Sequence, residues 1–232
     1  MSAGVRASQP RLVPSRRHRR AGLAGWAALA FAPLLACTTL PISEPHAEGV
    51  YGKALEKATR RATLYSGLET RAFVRATYLS LEFIAAQARY LSELRAEPPE
   101  VADQRLKKML AENKVPSFFV ALHTPDRNWN DWQEGNSVWR VAADTGQGQI
   151  DHPKVLRFEK PDAEMLALYP YFDTYSIGYF LHFEGAPTKT EIVAPIAAHA
   201  IISALGHVQL LAAGALGQLK LDWDLTGGSS GP

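Results

Sequence analysis

Beyond Val115 the chain falls into short apolar runs, 118–123, 138–143, 155–159, 175–183, 196–204, 207–212 and 218–225, each bounded by Pro, Gly, Asn or Asp. Runs this short suit strands better than helices, and the bounding residues are those that turn a chain. The last run shows the period most clearly. Gln218, Lys220, Asp222 and Asp224 alternate with Leu219, Leu221, Trp223 and Leu225, which puts every apolar side chain on one face of a half-buried strand. Leu205-Gly206 suits a tight hairpin turn ahead of the alternation His207-Val208-Gln209-Leu210. Several regularly spaced strands with such punctuation predict a sandwich or barrel. The stretch 194–216 is alanine-rich and is also compatible with a helix.

Ahead of these runs the pattern is helical in part. Ala54, Leu55, Ala58 and Ala62 recur at three- and four-residue spacing, which predicts a helix over 51–61. From Thr63 to Leu79 two readings compete. As a strand, 68–78 places Glu69, Arg71 and Arg75 on one face and Thr70, Ala72, Val74 and Ala76 on the other; as a helix it would present Ala72, Ala76, Leu79 and Phe83. Gly67 and the β-branched and aromatic content favour the strand. Ser80 then reads as the N-cap of an amphipathic helix carrying Phe83, Ile84, Gln87, Tyr90, Leu91 and Leu94. Pro98-Pro99 ends it, and a second helix over 100–113 is expected to bury Val101, Leu106, Met109 and Leu110. The expected fold class is α+β: a mainly antiparallel β-sandwich-like domain with two or three helices near its N-terminus.

The extreme N-terminus has another character. Residues 1–36 hold Arg6, Arg11, Arg16, Arg17, Arg19 and Arg20 and no acid, and 21–36 carries no charge at all. A basic region, a short apolar region and small residues before a cut are the pattern of a secretory signal peptide. The uncharged run of 16 residues is shorter than the ~20 needed to span a bilayer as a helix, and Pro33 interrupts it. Its end, Leu34-Leu35-Ala36-Cys37, resembles the lipobox of bacterial lipoprotein precursors. That resemblance covers the leader and these four residues. It implies cleavage before Cys37, a diacylglyceryl thioether on its sulfur and a further acyl chain on the new amino terminus. Several acyl chains give stable anchoring where one is marginal, at about 0.8 kcal/mol per buried methylene. Thr38 stands where an acid would favour retention at the inner membrane, so the resemblance implies lipid anchoring in the outer membrane of a Gram-negative envelope, on its periplasmic face. The expected layout is a signal peptide over 1–36, a tether over 37–49 marked by Pro41, Pro45 and Gly49, one globular domain over 50–225 and a flexible tail over 226–232.

Removing the leader reverses the charge. The whole chain has 25 basic and 23 acidic residues; six of the basic residues and none of the acids lie in the leader. The mature chain then carries 19 bases and a net charge of −4. Nucleic-acid binding needs clustered Lys and Arg, and none is expected. The mature length of 196 residues suffices for one core without staples. Cys37 is the only cysteine, and with its sulfur acylated no thiol remains for nucleophilic catalysis or thiolate metal binding.

The densest polar-aromatic segment runs from His123 to Trp132, through Asp126, Trp129 and Asp131, and is followed by Trp139. Pro125, Asn128 and Asn130 place it on a loop. Aromatic faces beside amides and carboxylates are what sugar recognition uses, so Trp129, Trp132, Asp126, Asp131 and His123 are candidate ligand-binding residues. The plainer reading has both tryptophans covering an end of the sandwich while Asn and Asp close turns. His123, Asp126 and Asp131 match no metal-site spacing, and neither a metal nor a cofactor is expected. Asp126 with Asp131, or Asp222 with Asp224, offers the two acids glycoside hydrolysis needs, although the second pair sits on a polar strand face that suits a solvated edge. The run Leu166-Ala167-Leu168-Tyr169-Pro170-Tyr171-Phe172-Asp173 suits either binding an extended partner or packing under the sheet. The expected function is a non-enzymatic envelope module that binds or supports a protein or glycan partner. The alternative is an envelope glycan hydrolase using Asp126, Asp131 or His123.

Overall fold

The computed structural model describes residues 47–146, 148–184 and 206–225. Cys37, the leader, the run 196–204 and the tail after Leu225 lie outside the described residues. The described elements, in order, are α1 (Gly49–Ala58), β1 (Thr59–Ser66), β2 (Glu69–Tyr78), α2 (Leu81–Leu94), α3 (Pro99–Glu112), β3 (Ser117–His123), β4 (Trp139–Asp144), β5 (Gln149–Asp151), β6 (Lys154–Phe158), α4 (Ala163–Leu168), β7 (Ile177–His182), β8 (His207–Gly214) and β9 (Gly217–Asp224). Every strand pairing is antiparallel. The strands form a five-stranded sheet, β1-β2-β3-β7-β6, and a four-stranded sheet, β5-β4-β8-β9. The chain is α+β and strand-rich, with helices gathered toward the N-terminal half.

Three layers follow from the side-chain pattern. Phe118, Val120 and Leu122 of β3 join Ala72, Val74 and Ala76 of β2, Tyr179 and Leu181 of β7, and Leu210, Leu221 and Trp223 of the smaller sheet in one core between the sheets. The alternate residues Phe119 and Ala121 face the other way, into a second core with Tyr51 and Leu55 of α1, Phe83 and Leu91 of α2, and Met165 and Leu168 of α4. β3 is apolar on both faces because both faces are covered, which explains why its sequence runs Phe-Phe-Val-Ala-Leu without alternation. β9 has one wet face and keeps the alternation, with Asp222 and Asp224 exposed on an edge strand.

The sheets are stitched at one edge. Arg60 Nε donates to the Asp222 carbonyl at 2.9 Å, and Trp223 Nε1 donates to the Ala58 carbonyl at 2.6 Å. That closure explains why the first helix stops three residues before its expected end. Thr59–Arg61 pair with Arg75–Thr77 of β2 instead, and the Thr59 and Thr77 hydroxyls meet at 2.7 Å. The contested segment 63–79 resolves as the β1–β2 hairpin, turned at Gly67 with a φ of 60°. Ser80 caps α2, its hydroxyl accepting from the Phe83 amide at 3.1 Å.

One further expectation changes at α3, and two open alternatives resolve. α3 buries no residue fully, and Val101 is 40% exposed. Its main packing partner is α2, where Met109 and Leu110 are partly buried against the core, and polar groups tie the α2–α3 junction as well. There the Glu97 carboxylate takes the Arg105 guanidinium and the Ser92 hydroxyl, and the Arg105 hydrogen bonds hold its carboxyl down to about 2. The segment 166–173 packs under the sheet: α4 leads into a loop whose Tyr169 and Phe172 are fully buried. The alternative helix over 194–216 is a strand where it is described, β8. The three-residue strand β5 is too short for any periodic signal.

Candidate functional site

The helical layer covers only part of the five-stranded sheet. At its open end three strands present side chains in register. Thr63 of β1 pairs with Phe73 of β2, which pairs with His123 of β3; one row in, Arg61 pairs with Arg75, which pairs with Ala121. These residues, with Tyr175 from the loop before β7, line a cleft of about 680 Å³. Arg61, Arg75 and Tyr171 also line a neighbouring cleft of about 930 Å³ against α1, so the paired arginines stand where the two spaces share a wall.

The cleft has firm walls. Asp173 Oδ1 accepts from the Tyr175 amide (3.0 Å), the Ser176 amide (2.9 Å) and the Ser176 hydroxyl (2.9 Å), which fixes the Tyr175 loop. The Tyr171 hydroxyl meets Thr77 Oγ1 at 2.6 Å. Burial raises its pKa well above the usual phenol range, so it stays a neutral hydrogen-bonding group. His123 Nδ1 lies 3.0 Å from the Tyr175 carbonyl oxygen. A carbonyl only accepts, so Nδ1 carries the proton and Nε2 of the neutral ring is an acceptor. Phe73 is 44% exposed and Tyr175 75% exposed. The cleft therefore combines two guanidiniums, two apolar ring faces, an imidazole acceptor and the Thr63 hydroxyl.

The structure distributes the five residues singled out in the sequence. His123 lines this cleft. Trp132 is 5% exposed and stacks on Tyr179 at 5.6 Å inside the sandwich. Trp129 sits on a short 3-10 turn, Arg127–Trp129, with the Arg71 guanidinium 5.3 Å from its ring and its carbonyl accepting from Trp139 Nε1 at 2.7 Å. Asp126 caps that turn through the Asn128 amide at 2.9 Å. Asp131 Oδ1 accepts from Ser137 Oγ at 2.8 Å and its Oδ2 from the Val138 amide at 3.0 Å. Among the described residues no group of three or more His, Cys, Asp or Glu is placed to hold a metal ion. Among them, too, no helix is long and apolar enough to cross a membrane.

One pair that sequence reasoning missed has the look of a catalytic dyad. Ser117 Oγ lies 2.9 Å from His182 Nδ1 and 2.9 Å from the Val115 carbonyl. The hydroxyl proton goes to the carbonyl, so Nδ1–H donates to Oγ and cannot act as its base. Ser117 is fully buried. The pair is structural, and desolvation lowers the His182 pKa below 6.5, with Lys154 adding to that effect and Glu184 opposing it. A histidine lowered in the fold takes up its proton first in the unfolded chain, so stability is lost as pH falls below 6.5. The melting temperature is expected to drop more between pH 7 and pH 5.5 in the native chain than in His182→Gln. Equal drops would show that His182 contributes no acid sensitivity.

A comparison with protein families, curated proteins and solved structures finds no match for this chain.

Proposed function

We propose that this protein is a lipid-anchored envelope module that binds a partner rather than transforming one, held to the outer membrane through acyl chains on Cys37. The observation that carries the binding reading is the cleft on the open end of the five-stranded sheet: recognition groups on a rigid, strand-built floor, with Asp173, the acid among its described lining residues, committed to fixing a loop. Ligand sites are concave and largely pre-formed, with a few polar groups that orient the ligand. The acids proposed for hydrolysis, Asp126 and Asp131, close turns, and no observation favours the hydrolase over the binding module.

Fragments of envelope glycans and soluble envelope proteins titrated into the mature protein provide the test, with binding followed by NMR and the ligand's mass recorded before and after. Saturable binding of an unchanged ligand is expected. Accumulation of cleaved product would replace the binding module with an enzyme. The anchor has a separate test: Cys37→Ser is expected to abolish lipid labelling and release the domain to the soluble periplasm. A variant that stays on the membrane would refute the lipobox reading.

A further inference from the structure

We infer that the cleft over Thr63, Phe73 and His123 recognises a neutral saccharide, with one pyranose ring lying on Phe73 between the Thr63 hydroxyl and the His123 imidazole. The inference rests on the binding-module reading above and names the ligand class for it.

The row of three residues is the first ground. Thr63, Phe73 and His123 are cross-strand partners on β1, β2 and β3. Neighbouring strands run about 4.8 Å apart, so an aromatic ring is flanked, one strand away on either side, by a polar group. The Phe73 and His123 rings lie 5.9 Å apart at a tilt of 38°, so neither lies flat on the other, and Phe73 stays exposed. A pyranose has the matching layout: an apolar face of C–H groups, with hydroxyls radiating from its rim. The negative face of an aromatic ring attracts such C–H groups. The tautomer of His123 leaves Nε2 as an acceptor for one rim hydroxyl, and the Thr63 hydroxyl both donates and accepts on the other side.

The second ground is the rim. Tyr175 is an exposed ring on a loop whose backbone is tied down: Asp173 Oδ1 accepts from its amide and from Ser176, and His123 Nδ1 donates to its carbonyl. A ring carried on backbone already ordered adds a second apolar face at little further entropic cost when a ligand arrives. The cleft of about 680 Å³ falls in the roughly 300–1,000 Å³ range of small-ligand sites, ample for one or two sugar rings. The charged groups on its walls call for no ionic ligand. Arg61 and Arg75 are each engaged in an interaction of their own, and Asp173 is committed to the Tyr175 loop.

The test titrates the mature protein with four probes: N,N′-diacetylchitobiose, cellobiose, sorbitol and inorganic phosphate. Sorbitol carries the hydroxyls of a sugar without a ring face, and phosphate carries charge alone. Amide shifts of Thr63, Phe73, His123 and Tyr175 serve as the readout. At least one disaccharide is expected to bind about tenfold or more tightly than sorbitol and than phosphate, with an affinity indifferent to salt, since no ion pair is made on binding. Phe73→Ser is expected to lower that affinity about tenfold with the fold unchanged by circular dichroism. Tyr175→Ser, at a ring that lies outside the core, is expected to weaken it in the same direction. Equal binding of sorbitol, tighter binding of phosphate, an affinity that falls steeply with salt, or an affinity unmoved by Phe73→Ser would each overturn the ligand class while leaving the binding module standing. Shifts confined to other surfaces, binding by none of the four, or saturable binding of an envelope protein alone at these residues would do the same. Turnover of either disaccharide would overturn the binding module itself.

Discussion

Phe119→Ala is expected to lower stability by about 3–5 kcal/mol, a fall of roughly 10 °C in melting temperature for a domain of this size. Phe119 is the hub of the core on the helical side. Its ring stacks on Tyr169 at 4.0 Å and meets Phe180 at 5.0 Å, Phe172 at 5.5 Å and Tyr171 at 6.1 Å. Those rings come from β7 and from the loop that follows α4, so no single element can move to fill the void. Gly178 beside it is already tight, since a Cβ there would stand 2.8 Å from the Phe172 ring. Phe119→Leu keeps most of the volume and is expected to cost less than half as much. Calorimetry on the two variants checks the ranking. Equal losses would mean that the helical layer is loosely packed.

The second large effect lies in the loop that looked most like a binding site. Asn130 is buried and bridges two groups. Its Nδ2 donates to the Leu122 carbonyl at 2.9 Å, while its Oδ1 and its own carbonyl accept from the Tyr179 hydroxyl at 2.7 and 2.9 Å. Asn130→Ala leaves the Leu122 carbonyl without this donor and the Tyr179 hydroxyl with one acceptor fewer. Leaving a buried group without its partner costs about 1–3 kcal/mol. Asn130→Ala is therefore expected to cost about 2–4 kcal/mol. Asp126→Ala, which removes one exposed turn cap, is expected to cost about 1 kcal/mol or less. Denaturant titration separates them, and a loss at Asp126 matching that at Asn130 would contradict the structural role assigned to the loop.

What the sequence shows and what it hides divide by range. β9 is legible because its alternation is complete within eight residues, and α2 because Ser80 and its apolar stripe lie within one segment. The extent of α1 is not, since Thr59 leaves the helix for a pairing with Thr77 that no local pattern records. α3 has a helical stripe and still buries nothing fully, because periodicity reveals a face and not how deeply its neighbours cover it. The cleft is hidden for a related reason. Arg61, Phe73, His123 and Tyr175 come from three strands and a loop, and only the β1–β2–β3 register makes them neighbours. Conversely, Trp129 and Trp132 are close in sequence, but the 3-10 turn sends the second ring into the core and leaves the first half-exposed.

The most direct test of the central claim is site-specific photocrosslinking in intact cells. A photoreactive phenylalanine is placed at Tyr175 on the cleft rim or at Leu166 on the exposed side of α4; the native residues are 75% and 46% exposed respectively. The account predicts a discrete adduct at Tyr175 that disappears when Phe73→Ser is added, and none at Leu166. A Tyr175 adduct indifferent to Phe73→Ser, or capture at Leu166 alone, would contradict the placement of the binding site on the open end of the five-stranded sheet.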